Sequence, residues 1–351
     1  MFPIKSTICI GEDRPAHEPS LKLLLLSLNA YCPGMEINLF YPPADKAFLT
    51  WVRKYPQIHL WTDDLSKGMG WNVKPLAILR LLEQGYDEVI WTDSDVIVTR
   101  NITSVFSGID SQVFMISDQG RDRDALNAVR ARSWGFQVGR VLPFELNSGV
   151  LRATKNHYPL MQRWRELVHS EEYQKFQQKV GWARSPIHMK GDQDVLTALL
   201  VSSEFSNVPI RLIRTGRNIV LFDGVFGYSV GARIRSLLRG IPPFIHIPGF
   251  KPWLATMWDM KRPMRLKDYI ERVYFDVSPY TLSALQFRSD LESDASWMDS
   301  HYVLSRVLRV GGLGCRPLVG LPVAALADLV RVGKLTFRSR QVQASLSTEQ
   351  L

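Results

Sequence analysis

The first ninety residues alternate between short apolar runs and longer segments with one apolar face. The short runs are β-favouring, while the longer segments place apolar residues at helical spacing and end near Pro33-Gly34 and Gly85. This order predicts a parallel sheet with helices on both faces. The predicted strands are 6–10, 37–41 and 58–61, and the predicted helices are 18–29, 46–54 and 73–84.

The same alternation continues, less regularly, after residue 90. Predicted strands are 113–116, 146–152, 211–213 and 219–222, predicted helices are 158–168 and 191–201, and 243–249 is a strand or a turn. Residues 118–143 are charged with weak periodicity, which predicts a mobile loop or lid. The fold class is therefore α/β, with a Rossmann-like, mostly parallel central sheet.

A buried-strand pattern at residues 89–98 is interrupted by two carboxylates, Asp93 and Asp95. Ligands of open α/β sheets gather at the carboxyl ends of strands, and oxygen donors suit Mg²⁺ or Mn²⁺. The spacing therefore favours a divalent cation that holds an anionic substrate. An ordinary Asp-Ser-Asp turn between two strands is the alternative, since Asp and Ser are common turn residues.

Composition narrows the class of protein. The 351 residues are 46% hydrophobic, enough for one large α/β domain with an extension or for two small domains. The three cysteines lie far apart, without the spacing of a zinc site or a disulfide framework. Of the net charge of +9, residues 300–340 carry seven Lys/Arg against one Asp, or +6, so the main body gives no support for nucleic-acid binding.

The sequence predicts a cytoplasmic protein. The leucine-rich run 21–28 is eight residues long and contains Lys22, too short to span a bilayer. Because nothing indicates export, the sequon at Asn101 is not expected to carry a glycan.

Four sequence blocks occur in a specific order: Trp91-Thr92-Asp93-Ser94-Asp95, Asn147-Ser148-Gly149-Val150-Leu151, Gly191-Asp192-Gln193-Asp194-Val195-Leu196, and His246-Ile247-Pro248-Gly249-Phe250-Lys251-Pro252-Trp253. Together they resemble glycosyltransferase family eight, the family of glycogenin and the bacterial lipopolysaccharide galactosyl- and glucosyltransferases. The resemblance covers roughly residues 6 to 255. It implies the GT-A fold and a metal-dependent hexosyltransferase.

The resemblance also implies a metal centre. Asp93, Asp95 and His246 become ligands of Mn²⁺ (or Mg²⁺), which bridges the diphosphate of a UDP-sugar donor. Two carboxylates and an imidazole suit Mn²⁺ better than Mg²⁺. Gly249 and Lys251 then contact the phosphate, although His246 and Lys251 are five residues apart here rather than the six of the bacterial galactosyltransferases. Without the neighbouring Gly249 and Lys251, His246 would be read as a structural histidine.

Further residues correspond to the family's donor contacts. Asn147, Asp192 and Gln193 match its sugar-binding positions; without the resemblance they would be read as a strand-end Asn and a helix-capping Asp. The other donor contacts are Lys74, which could instead be a solvated helix-start lysine, together with Ser94, Glu12 and Asp13. The stretch Gly11-Glu12-Asp13-Arg14 departs from the small residues and single acid usual in the family.

The predicted reaction is transfer of a sugar, with retention of configuration, to the hydroxyl of a glycan, a glycolipid or a lipid-linked saccharide. No carboxylate is an obvious nucleophile; Gln193 or Asp194 lies beneath the sugar, or the acceptor attacks from the front face. Two alternatives remain: a non-catalytic carbohydrate-binding protein of the same fold, and a haloacid-dehalogenase-type phosphatase with Asp93 as nucleophile. The phosphatase motif would continue with Gly-Thr, which is absent here.

The predicted domains are 1–264, catalytic, and 265–351, a helical, basic extension outside the resemblance. In that extension Val303, Val307 and Val310 form a stripe beside Arg306 and Arg309. Residues 317–327 carry no charge and are too few to span a membrane. This pattern is typical of peripheral docking on an anionic membrane surface, or of a helical pair packed on the catalytic domain.

Overall fold

A computed structural model of the chain describes residues 4–63, 70–122, 124–179, 184–224, 227–254, 265–299, 302–312 and 316–330. The chain divides into two compact units, Met1–Ile219 and Val220–Leu351. The predicted boundary between a catalytic domain, 1–264, and a C-terminal extension, 265–351, stays a prediction.

The first unit is built on a mixed sheet with flanking helices. Seven of its strands form one sheet in the order β3-β2-β1-β4-β7-β6-β8. The strands of the unit are β1 Ser6–Gly11, β2 Ile37–Phe40, β3 Ile58–Trp61, β4 Glu88–Thr92, β5 Val96–Val98, β6 Phe114–Asp122, β7 Phe144–Thr154 and β8 Ile210–Ile213. The helices are α1 Glu18–Tyr31, α2 Lys46–Val52, α3 Lys74–Glu83, α4 Thr103–Phe106, α5 Asp124–Ser133, α6 Tyr158–Val168, α7 Glu171–Lys179 and α8 Asp192–Val201.

The sheet is parallel except around β7. Strands β3, β2, β1 and β4 run parallel to one another, whereas β7 is antiparallel to β4 and to β6. Fully buried apolar runs in β1, β2 and β4 are what a sheet covered by helices on both faces requires. The predicted α/β class with a mostly parallel sheet is confirmed.

The core lies between the sheet and helices α3, α6 and α8. Trp91 of β4, Leu151 of β7, Ile78 of α3, Trp164 of α6 and Leu196 of α8 all belong to one buried cluster. Because apolar residues recur every three or four positions in α3 and α6, one side of each helix is buried. This packing fixes the first residues of α3 and α8 at the edge of the sheet where the strands end.

The predicted lid at 118–143 is wrong for much of its length. Strand β6 continues to Asp122, and α5 occupies Asp124–Ser133. The helical periodicity is weak because α5 carries the buried polar residues Asn127 and Arg130 among its inward positions. A polar side chain on the inner face removes the apolar signal that a sequence pattern depends on.

The second unit is mostly helical. Its strands are β9 Ile219–Leu221, which begins at the last residue of the first unit, and β10 Phe244–His246, which lies beside β9. Among the described residues, no helix combines the length and apolar character needed to cross a bilayer. The helices are α9 Val230–Arg239, α10 Leu266–Asp276, α11 Pro279–Ala284, α12 Arg288–Leu291 and α13 Val303–Gly311, followed by a helix at 321–330. The predicted helical character of the C-terminal part is confirmed.

Candidate functional site

The carboxyl ends of β1 and β4 bring two polar segments to the same edge of the sheet. The strands are parallel, with Cys9 opposite Trp91, so Glu12 and Asp93 each follow a strand end at this edge. Strand β7 passes the same point in the opposite direction, and Asp93 N donates to Gly149 O at 2.8 Å. The Asp93 block and the Asn147 block are therefore neighbours, although Asp93 and Asn147 are 54 positions apart in the sequence.

Lys74, the first residue of α3, is the centre of a buried polar cluster. Its Nζ lies 3.0 Å from Asp93 Oδ1 and 3.3 Å from Asp192 Oδ2, and it donates to Ser148 Oγ at 2.8 Å. Burial alone would lower the pKa of Lys74, but the charges of Asp192 and Asp93 raise it above its ordinary value. Lys74 is thus held as a buried cation rather than as a solvated helix-start lysine.

Asp192, the first residue of α8, faces this lysine. Ser148 Oγ donates to Asp192 Oδ2 at 2.7 Å, and Trp164 Nε1 donates to the Asp192 carbonyl at 2.9 Å. Burial raises the pKa of Asp192, while the Lys74 ammonium opposes the shift. Gly191 is the N-cap of α8 and Asp192 is its first helical residue, so the capping alternative is wrong.

Asn147 and Gln193 form the next part of the edge. Asn147 Nδ2 lies 3.4 Å from Gln193 Oε1, and Asn147 Oδ1 accepts from Gly149 N at 2.9 Å. The amide of Asn147 therefore bonds both its own strand and the start of α8. The structure brings together Lys74, Asp93, Asn147, Ser148, Asp192 and Gln193 in one polar cluster, named here the strand-edge cluster.

Glu12 is engaged by other residues of the chain, and its predicted contact with the donor stays a prediction. Its carboxylate accepts from Arg14 Nε at 2.8 Å and from Ser94 Oγ at 2.6 Å. Although burial would raise the pKa of Glu12, the bonds and charge of Arg14 and the bond of Ser94 lower it. Glu12 thus anchors the Asp93-Ser94-Asp95 turn as a carboxylate, and its pairing with Arg14 is a contact that the sequence did not predict. Asp13 Oδ2 accepts from Gly70 N at 2.9 Å.

Gly11, the last residue of β1, is required by close packing. A Cβ at this position would lie 2.8 Å from Trp91 Cη2 and 2.9 Å from Val73 Cγ1, so a larger residue would displace one of them. Trp91 in turn donates from Nε1 to Asp93 Oδ1 at 2.7 Å. The glycine therefore permits the tryptophan position that orients Asp93.

Asp93 and Asp95 point from a turn whose middle residue is buried. Both aspartates are half-buried, whereas Ser94 is buried through its bond to Glu12. The backbone closes the turn with Val96 N donating to Asp93 O at 3.2 Å. Two carboxylates held in this way offer hard oxygen donors to a divalent cation.

A second buried network lies behind Gln193. Arg130 of α5 donates from Nε to Asp194 Oδ1 at 2.7 Å and from Nη2 to Glu145 Oε1 at 3.2 Å. Burial raises the pKa of Asp194 to about 6, opposed by Arg130 and assisted by Asp192 and Glu145. The weak helical pattern of α5 gave no signal for Arg130, so this network was also missed.

In the second unit, His246 ends β10 and is buried. Lys251 is buried too, and its Nζ donates to the carbonyl of Ile247. A Cβ on Gly249 would lie 2.8 Å from Asp223 Oδ1, so packing against Asp223 gives this glycine a reason besides phosphate approach. The donor contacts predicted for these residues stay predictions.

Comparison with known proteins gives a family match. Residues 58–223 match the family described as nucleotide-diphospho-sugar transferase. A search of curated proteins gave no match. The matched range holds the strand-edge cluster together with Asp95, and it leaves out Glu12, Asp13, His246, Gly249 and Lys251.

Several solved structures are similar over most of the chain. The galactosyltransferase LgtC, solved with donor and acceptor sugar analogs, is 15% identical over 73% of this chain and 93% of its own, with a TM-score of 0.45. The glycosyltransferase GlyE of Streptococcus pneumoniae is 17% identical over 82% of this chain and 64% of its own, with a TM-score of 0.45. The bifunctional glycosyltransferase WbbM is 13% identical over 72% of this chain and 47% of its own, with a TM-score of 0.45. The chain therefore spans about half the length of WbbM.

The predicted resemblance is confirmed at the level of nucleotide-diphospho-sugar transferases, while family eight itself stays a prediction. The fold class rests on the sheet order, the flanking helices and the family match. The chain has the GT-A type of mixed α/β fold, and over residues 58–223 it resembles the nucleotide-diphospho-sugar transferases.

Proposed function

We propose that the protein is a retaining, metal-dependent hexosyltransferase that moves a sugar from a UDP-sugar to a hydroxyl acceptor. The observation that carries the proposal is the strand-edge cluster, which lies within the family match. In this cluster Lys74 Nζ lies 3.0 Å from Asp93 Oδ1 and 3.3 Å from Asp192 Oδ2. Burying charges costs free energy, and clusters of buried charges with perturbed pKa values are concentrated at functional sites.

In this proposal Asp93, Asp95 and His246 hold Mn²⁺ or Mg²⁺. Two half-buried carboxylates and a buried imidazole are a donor set of the right chemistry for Mn²⁺. When bound, the cation neutralises charge on the departing nucleoside diphosphate. Glu12 and Ser94 keep the turn between the two aspartates in place, which limits the reorganisation needed when a ligand arrives.

The donor sugar is oriented by Asp192, Asn147 and Gln193. A carboxylate and two amides can bond sugar hydroxyls and fix the position of the anomeric carbon. Lys74 supplies a cation between the metal-holding Asp93 and the sugar-holding Asp192. Gly249, Lys251 and Asp13 are proposed as further contacts to the phosphates and the nucleoside.

The reaction breaks the bond from the anomeric carbon to the diphosphate, whose oxygen leaves with the electron pair. The acceptor hydroxyl oxygen forms the new bond, and its proton passes to the departing diphosphate. Attack from the front face is favoured because Asp194 is already engaged by Arg130 at 2.7 Å. Asp194 is therefore poorly placed to leave that pair and act as a nucleophile.

The proposal is tested by incubating the full chain with a panel of nucleotide sugars and Mn²⁺ and measuring release of nucleoside diphosphate. We expect one UDP-sugar to be hydrolysed slowly without an acceptor, and chelator to abolish this activity. A folded protein that binds sugars but hydrolyses no donor would support the carbohydrate-binding alternative. Metal-dependent release of inorganic phosphate from phosphate monoesters would support the phosphatase, which the family match disfavours.

The acceptor is proposed to be a glycan, or a glycolipid presented at the inner face of a membrane. Support for the second form comes from the charge of residues 300–340, seven basic residues against one acidic residue. Residues 331–340, with four of those seven, lie outside the described residues. The valine stripe at Val303, Val307 and Val310 is exposed rather than packed on the rest of its unit.

A further inference from the structure

Helix α9 carries its large aliphatic side chains on the outside. Ile234, Leu237 and Leu238 are exposed, Leu238 by 79%, whereas Arg233 and Ser236 are buried. Residues three and four apart share a helix face, so the three aliphatic residues form one stripe. A surface helix of a soluble protein normally has the opposite arrangement, with the apolar stripe toward the core.

Helix α13 repeats this reversal. Val303, Val307 and Val310 are exposed, Val310 by 77%, while Ser305 is buried. Arg309 points inward, and its Nη2 donates to the Asp276 carbonyl at 2.8 Å. The polar residues of α13 therefore hold the helix to its unit, and the valines face outward.

The helix at 321–330 has the same character. Leu326, Leu329 and Val330 are exposed, Leu329 by 70%, and the small residues Ala324 and Ala327 are buried. Its acidic residue, Asp328, accepts a hydrogen bond from the backbone N of Val230 in α9 at 2.9 Å. That bond joins the start of α9 to this helix.

Other contacts tie the three helices into one region. Arg233 Nη1 of α9 donates to the carbonyls of Pro317, at 3.1 Å, and of Val319. Gly312, which follows α13, packs closely on Val319. A Cβ on Gly312 would lie 2.3 Å from Val319 Cγ2. We call the exposed aliphatic residues of these three helices the outer aliphatic surface.

The charges beside this surface are positive. Arg235 and Arg239 of α9 and Arg306 of α13 are exposed. Neither α9 nor α13 contains an acidic residue, and Asp328 is engaged by Val230. Exposed aliphatic residues bordered by arginines suit the acyl and phosphate layers of an anionic bilayer.

We propose that the outer aliphatic surface docks the protein on an anionic lipid bilayer, with α9 as part of the docking surface. This goes beyond a basic C-terminal tail, because α9 lies about 70 residues before that tail. A second copy of the chain suits this surface less well than an anionic bilayer does. A two-fold contact through the surface would bring the arginines of the two copies together. Docking does not depend on the proposed sugar transfer.

The experiment is flotation of the full chain with phosphatidylcholine vesicles, with and without phosphatidylglycerol. We expect binding to the anionic vesicles at low salt, weakened by added salt and absent with phosphatidylcholine alone. Leu238→Glu should weaken the binding about tenfold, because the new charge opposes both apolar burial and the lipid phosphates. Replacing both Arg235 and Arg239 by Ser should weaken it about thirtyfold.

Val141→Glu is the matched control, because Val141 is 73% exposed and lies in the first unit. It should leave vesicle binding unchanged, and melting temperatures should show that all variants fold. Failure of the unmodified chain to float with anionic vesicles, or equal flotation with neutral ones, would overturn the proposal. A dimer in light scattering that Leu238→Glu dissociates would instead assign the surface to a second copy.

Discussion

The two units place side chains in opposite ways. The first unit buries charges at the edge of its sheet, where Lys74, Asp192 and Arg130 are all almost inaccessible to solvent. The second unit leaves large aliphatic residues in solvent while burying Arg233 and Ser236 beneath them. Both arrangements oppose the usual preference for apolar interiors and polar surfaces.

The difference indicates what kind of molecule or surface suits each unit. A buried charge is tolerated when partners surround it, as Ser148 and Asp192 surround Lys74, and such clusters are where ligands bind. An exposed aliphatic stripe is tolerated when another surface covers it. These arrangements support the proposals that the first unit binds a small polar ligand and that the second unit docks on an extended apolar surface.

The largest effect is expected from substituting the carboxylates of the first unit that are proposed to bind a metal. Asp95→Ala should lower sugar transfer about a thousandfold or more, because the leaving diphosphate loses its main stabiliser. The measurement is transfer rate against Mn²⁺ concentration, with the exposed Glu166→Ala as control. Chelator should reproduce the defect in the unmodified enzyme. Full activity in chelator, or a His246→Ala variant with unaltered metal dependence, would contradict the assigned ligands.

The buried network behind the cluster is expected to govern stability. Arg130→Ala leaves Asp194 and Glu145 without their cation and should cost about 3 kcal/mol or more of unfolding free energy. The matched control is Arg163→Ala, which removes an exposed pair with Glu166 and should cost about 0–1 kcal/mol. Denaturant unfolding measures both. Equal costs for the two variants would show that burial of the Arg130 network contributes nothing.

A substitution of Asp192 can distinguish a role in sugar orientation from a role in metal binding. Asp192→Asn should lower transfer about a hundredfold, because the amide lacks the negative charge that pairs with Lys74 and has one acceptor oxygen where the carboxylate has two. Affinities for Mn²⁺ and for nucleoside diphosphate, measured by calorimetry, should be nearly unchanged. A parallel loss of Mn²⁺ affinity would instead make Asp192 a metal ligand.

The smallest effect concerns a buried group kept uncharged. Burial lowers the pKa of His157 to about 4, the nearby Arg152 charge adds to this, and the Gln112 carbonyl opposes it. Since the folded-state pKa lies below the unfolded value, stability is complete above about pH 6.5 and falls as pH decreases toward 4. Between pH 7 and pH 5 the unfolding free energy should drop by about 2 kcal/mol. His157→Gln should flatten this dependence; an unchanged slope would show that another group causes it.

Strands and helices with apolar inner faces could be predicted from the sequence. The strand Ile58–Trp61 was predicted with its observed ends, and α3 and α6 to within about one residue, because the apolar residues of each recur at the spacing of its element. Helix α5 was not predicted, since Asn127 and Arg130 point inward. Helix α9 was also not predicted, although its aliphatic residues Ile234, Leu237 and Leu238 recur at helical spacing.

Within the site, the sequence identified residue types but not their partners. Lys74, Asp93 and Asp192 were each selected from a motif, yet their contacts depend on α3, β4 and α8 meeting at one edge. Local patterns cannot supply such non-local contacts. Arg14 was noted as a departure from the family, and its pairing with Glu12 became evident only from the structure.

The reversed direction of β7 has a consequence for motion. In a purely parallel sheet, functional residues follow the strand ends and sit in loops, which open easily. Asn147, Ser148 and Gly149 instead lie inside an eleven-residue strand, in which Asn147 is opposite Ser117 of β6 and the Gly149 carbonyl accepts from Asp93 N. Strand pairing continues beyond these residues to Thr154, so this part of the edge, proposed to bind the sugar, should move less than the loops around it.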